Sequence, residues 1–131
     1  MIFLDTSAIY ALADATDLKH QVAIERFQAI LEAQEEILTH NYVLLESISL
    51  LQARLGFFAA AKFANESTTF LVECVDKDLH SSGIGEWKKS GKRRISLVDQ
   101  ISFLVMKRRN VTTAFAFDPD FKTEGFRLFG D

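Results

Sequence analysis

Hydrophobic positions along this chain fall into two kinds of run. The first is short and continuous: Ile2-Phe3-Leu4, Ile37-Leu38-Thr39, Phe70 to Val75, Thr113 to Phe117 and Phe126 to Phe129. Apolar runs of that length, rich in β-branched and aromatic residues, suit strands buried on both faces. The second kind repeats at helical spacing. Ser7 to Asp14 carries Ala8, Ile9 and Leu12, and a helix capped by Asp17 aligns Ala23, Phe27, Ile30 and Leu31. Another, capped by Thr39 or Asn41, aligns Val43, Leu44, Ile48, Leu51 and Leu55 before Gly56 stops it. Phe57 to Ala64 supports a further helix, and Ser96 opens one with Leu97, Val98, Ile101, Val105 and Met106 as its stripe. Asp78 to Gly91 is ambiguous: Gly83 and Gly85 weaken a helix whose last turn Trp87, Lys88 and Lys89 would suit. Strands alternating with helices predict an α/β fold with a mainly parallel sheet covered on both faces. With no repeat or linker in sight, one domain over residues 1–131 is expected.

Composition agrees with a packed core. The 131 residues are 48 % hydrophobic with one proline and six glycines, and such a length buries about two-thirds of its unfolded surface. Fifteen Lys and Arg against eighteen Asp and Glu give a net charge of −3, so the total charge does not announce a nucleic-acid binder. Distribution says more. Five cations lie between Lys88 and Arg94 and three more at Lys107, Arg108 and Arg109; alone, each patch reads as a solvated helix end favoured by the helix dipole. Cys74, the one cysteine, can form neither an internal disulfide nor a zinc site and is expected as a small core residue. The twelve phenylalanines are not interleaved with basic residues and read as core instead of base-stacking groups. No signal-peptide pattern opens the chain and no apolar stretch approaches the roughly 18 residues of a membrane span, so a soluble, cytoplasmic protein is expected.

The chemistry lies in the acids. Asp5 ends the first strand where a helix begins, at the carboxyl edge of the sheet, the edge where open α/β folds bind ligands. By itself it reads equally well as a helix cap. Glu46 lies in the first turns of the helix after the second strand, Asp99 follows Ser96 by three residues, and Asp118 directly follows the strand Thr113 to Phe117. Each has an ordinary explanation: Ser96 to Asp99 has capping-box spacing, Asp118 before Pro119 is a good N-cap, and Glu46 can reach solvent. Four caps need not share one edge, however, whereas a metal site must. Hard Mg²⁺ or Mn²⁺ prefers carboxylate oxygens, and such ions drive phosphodiester hydrolysis. Without a cation the four acids repel, so metal should stabilise the protein.

Four motifs in order, Asp5-Thr6-Ser7-Ala8, Asn41-Tyr42-Val43-Leu44-Leu45-Glu46, Ser96-Leu97-Val98-Asp99-Gln100-Ile101-Ser102-Phe103 and Ala116-Phe117-Asp118-Pro119-Asp120-Phe121, resemble the PIN-domain nucleases, and among them the VapC-type toxin ribonucleases. The resemblance spans nearly the whole chain, including the Gly125-Phe126-Arg127-Leu128 ending. It implies a three-layer α/β/α sandwich around a short parallel sheet of four to five strands, and Mg²⁺- or Mn²⁺-dependent endoribonuclease activity as the toxin of a type II toxin–antitoxin pair. Asp5 and Asp99 would be the principal metal ligands, completed by Glu46 and Asp118, with Thr6 and Ser96 as supporting hydroxyls. A homodimer, and a small antitoxin occluding the acidic site, are implied as partners. Gln100 and Pro119 depart from the family pattern, and Asp120 competes with Asp118 for the fourth place. In this frame Lys92, Arg93 and Arg94, running straight into Ser96 and Asp99, are expected to hold RNA phosphates. Two other readings stay open: a PIN nuclease of RNA processing outside toxin systems, and a metal- or RNA-binding module without catalysis. A phosphoaspartate phosphatase, which also begins with a strand ending in Asp, needs a second Asp where Ser7 stands.

Overall fold

The computed structural model describes all residues, Met1–Asp131. Five strands, β1 (Ile2–Leu4), β2 (Ile37–His40), β3 (Leu71–Glu73), β4 (Thr113–Phe115) and β5 (Arg127–Leu128), form one sheet in the order β3-β2-β1-β4-β5, every pair parallel. Parallel pairing demands a crossover between neighbours, and helices supply it: α1 (Thr6–Ala13) and α2 (His20–Glu32) before β2, α3 (Asn41–Leu55) and α4 (Phe57–Glu66) before β3, α5 (Lys77–Ser90) and α6 (Leu97–Arg108) before β4, and the single turn α7 (Asp120–Thr123) before β5. The expected α/β/α sandwich is present. β1 is central and wholly buried, and the chain leaves it toward β2 and β3 on one side before returning to β4 on the other. The crevice at such a reversal opens at the carboxyl ends of the strands, here between the segments that follow β1 and β4.

The core is one cluster of 25 buried apolar residues. Phe3, Phe63, Phe103, Phe115 and Phe121 belong to it, and Phe27, Phe70, Phe117, Phe126 and Phe129 pack against it, so the core reading of the phenylalanines holds for all but the exposed Phe57 and Phe58.

Several local expectations change. Segment 77–90 is a full helix, capped by the Asp76 side chain on the Leu79 N–H. Gly83, which weakens it on propensity, is there for packing: a Cβ on it would stand 2.5 Å from Ile101 Cγ1 of α6. The cap of α3 is neither Thr39 nor Asn41 but the His40 imidazole, which accepts from Val43 N. Cys74 is exposed, not a core residue; β3 is an edge strand that stops at Glu73, so Cys74 lies past the ladder with nothing to cover it. At the opposite rim, Gln34 and Asn110 turn the chain from α2 into β2 and from α6 into β4 with φ of 56° and 54°, a left-handed conformation that non-glycine residues seldom adopt.

Candidate active site

β1 ends in Asp5, whose backbone N–H pairs with Phe115 O of β4 while its carboxylate caps α1 by accepting from Ser7 N. The cap reading is therefore correct, but incomplete. Asp5 is only 5 % exposed and no cation pairs with it. Burial pushes its pKa up to about 6; the Ser7 hydroxyl and N–H oppose the rise, and the charges of Asp99 and Asp118 add to it. A buried carboxylate lacking a counter-charge is costly, and structural caps do not require it.

Asp99 closes a full capping box with Ser96, its Oδ2 accepting from Ser96 N at 3.0 Å while Asp99 N donates to Ser96 Oγ at 3.1 Å. Partial burial raises its pKa, with the charges of Glu46 and Asp120 reinforcing the rise. Asp118 is raised in the same way, by burial first and then by Asp99 and Asp120. The acids anticipated from sequence order thus share one neighbourhood. Their hydrogen bonds follow one pattern: Asp5 uses Oδ2, Asp99 uses Oδ2, and Asp118 uses Oδ1 on Asp120 N. The second oxygen of each takes no N–H or O–H donor from the chain. Those free, hard oxygens fit a divalent cation of the Mg²⁺ class. Yet no three His, Cys, Asp or Glu side chains converge closely enough to enclose an ion: the acids share a crevice, not a coordination shell. Glu46, at its rim on α3, is exposed.

Asp120 is the other buried acid of this edge, 4 % exposed, but Arg94 Nη2 donates to it at 3.0 Å. Arg94 is thereby engaged, whereas no ion pair holds Lys92 or Arg93.

Residues 2–125 match the family model described as PIN domain. The chain belongs to the PIN-domain family. It is 40 % identical over 129 residues to the 23S rRNA-specific endonuclease VapC20 of two Mycobacterium tuberculosis strains, covering 96 % of this chain and 95 % of the relative. The crystal structure of M. tuberculosis VapC20, described as a sarcin–ricin-loop-cleaving toxin, superposes with a TM-score of 0.84 at 35 % identity over 96 % of each chain. These likenesses bear out the resemblance to VapC-type toxins and the ribonuclease class it implied, in a family whose nucleases depend on divalent metal.

Three further groups position the acids of this PIN domain: Ser7, which sequence reasoning gave no role, Thr6, and His40, which lies outside the motifs. The Ser7 hydroxyl donates to Asp5 Oδ2 at 2.6 Å and accepts from Phe117 N at 2.9 Å, joining the ends of β1 and β4. Thr6, expected to support the acids, instead accepts from Ser47 Oγ of α3 at 3.1 Å. His40 is fully buried, and burial pulls its pKa down to about 4. Because its Nδ1 accepts from Val43 N, Nε2 carries the proton and donates to Ser102 Oγ at 2.8 Å, which in turn donates to Val98 O. One neutral imidazole therefore ties the start of the Glu46 helix to the first turns of the Asp99 helix. The neighbouring side chains also reach outward, Thr39 to Leu4 O, Asn41 to Val75 N and Tyr42 to His80.

Proposed function

We propose that this chain is the toxin of a toxin–antitoxin pair and cleaves a phosphodiester bond of 23S ribosomal RNA in the sarcin–ricin loop, using Mg²⁺ or Mn²⁺ held by Asp5, Asp99 and Asp118 with Glu46 at the rim. The carrying observation is Asp5: a carboxylate pushed up to about 6 by burial, flanked by further acids, with no cation from its own chain. The 40 % identity to the 23S rRNA-specific VapC20, and the likeness to its structure as a sarcin–ricin-loop-cleaving toxin, support this choice of RNA.

When bound, the ion supplies an activated water and a positive charge against the phosphate being broken. Everything else is supplied by the chain. Ser7 and the capping box fix one oxygen of Asp5 and of Asp99, so that the other points where donors are absent. His40 holds α3 and α6 in register. Lys92 and Arg93, free of ion pairs, bind phosphates beside the acids, and Ser96 sets the first turn that carries Asp99. Thr6, through Ser47, anchors α3 to the start of α1. Exposed Leu45, Phe57 and Phe58 on α3 and α4 offer apolar surface for a second copy and for an antitoxin. No helix is long and apolar enough to cross a membrane, and a ribosomal substrate places the action in the cytoplasm.

The decisive experiment compares wild type with Asp5→Asn and Asp99→Asn on a sarcin–ricin stem–loop RNA with Mg²⁺ or Mn²⁺. Cleavage falls by at least about 1,000-fold in both variants while circular dichroism stays native. Wild-type rates in Asp5→Asn would reject the assignment.

A further inference from the structure

The acids do not explain the far end of α5. Trp87, the only tryptophan of the chain, lies there 45 % exposed. Its indole stacks on no other ring and no cation of the chain covers it. Around it Lys88, Lys92 and Arg93 line an open cavity of about 390 Å³ that contains no acid, completed by Gly91. That size lies within the range of small-ligand pockets. Gly91 closes α5 at φ +62°, its N–H on Trp87 O. None of the three cations has an ion-pair partner. A second cleft, lined by Lys89, Lys92 and Lys107 but also by Glu86 and Glu124, adjoins it, with Lys92 common to both. The acid-free hollow at the indole is the basic end of this surface, and Arg94, next in the chain after Arg93, reaches Asp120 at the acidic edge.

An exposed flat aromatic ringed by unpaired cations is what a single-stranded nucleic acid selects. The ring takes a base on its face, and the cations take the flanking phosphates. A core tryptophan would be covered, and a lipid- or protein-facing one would be flanked by apolar neighbours, not three cations. We propose that Trp87 is the stacking platform for one unpaired base of the RNA substrate, with Lys88, Lys92 and Arg93 on the adjoining phosphates. The platform anchors a nucleotide away from the scissile bond and so sets which unpaired loop is accepted. The proposal rests on the ribonuclease reading.

Because Trp87 is the sole tryptophan, its fluorescence reports this site alone. The Asp5→Asn protein with Mg²⁺ is titrated with a labelled stem–loop RNA, following indole emission and RNA anisotropy together. Emission is quenched along the same binding curve. In wild-type cleavage assays Trp87→Ala raises KM by about 5- to 150-fold, the worth of one base stack, with kcat and melting temperature retained, and Trp87→Phe recovers most of the loss. RNA binding without a change in emission, or an unchanged KM in Trp87→Ala, overturns the platform, leaves the indole to a protein partner, and leaves the nuclease reading intact because wild type still cuts. Failure of wild type to bind or cut RNA with either metal ion overturns both.

Discussion

Asp5 and Asp120 are buried to the same degree, at 5 % and 4 % exposure, along the same edge of the sheet, yet the chain treats them differently. Asp120 is answered by Arg94 at 3.0 Å and lends its backbone N–H to Asp118. Asp5 receives only the hydroxyl and N–H of Ser7, and its neighbours in charge are Asp99 and Asp118. A buried carboxylate with its own cation is finished; one without must be neutralised by a proton or by something from outside. The contrast separates an acid that the chain neutralises itself from one that it leaves unanswered, which sequence position does not. It also favours Asp118, which no cation pairs with, over Asp120 as the fourth acid.

The comparison breaks most visibly at Asp118 and Asp120. Asp118→Asn lowers kcat/KM by about 100-fold or more, whereas Asp120→Asn costs less than about 10-fold; equal losses would mean that Arg94 does not set Asp120 apart. Stability against pH sharpens the Asp5 half. Its folded pKa is raised from 3.8 to about 6, so its contribution is fully present below about pH 4 and lost as pH rises through 6. The shift is worth roughly 3 kcal/mol. His40 runs the other way. Lowered from 6.5 to about 4, it contributes fully above about pH 6.5, and that stability is lost as pH falls through 4. In EDTA the two oppose each other across pH 4 to 6. Asp5→Asn removes one of them, raising metal-free stability at pH 7 by up to roughly 3 kcal/mol and leaving a curve that falls toward acid by about one proton more than wild type. Chemical denaturation at four or five pH values reads both; a variant no more stable than wild type at pH 7 would contradict the buried, unanswered charge. The smallest effect belongs to Ser7→Ala, which takes one of two donors from Asp5 Oδ2 and strips the hydroxyl from Phe117 N. It costs about 1–2 kcal/mol of stability and about 10-fold in activity, measured by denaturation and single-turnover cleavage.

Much of this was legible in the chain. Continuous apolar runs marked β1 and β4 because buried parallel strands have no polar face, and acids placed directly after them had to emerge at one edge. What stayed hidden depends on contacts between distant positions. The Ser7–Phe117 bond spans 110 residues and the His40–Ser102 bond 62, and neither has a local spacing that betrays it. Propensity undervalued α5, since Gly83 is selected by the close approach of Ile101, a property of the packed pair. Cys74 lies outside the core for a related reason: hydrophobic character says that a strand exists, not that its last residues outrun the sheet.

The turns at Gln34 and Asn110 have a practical consequence. Both are exposed and lead into the amino ends of β2 and β4, the rim of the sheet farthest from the acids. A fluorophore, an affinity tag or a surface tether grafted at either turn would leave the crevice unobstructed. The molecule therefore carries two attachment points from which a single enzyme can be immobilised or watched while its reactive edge faces the solution.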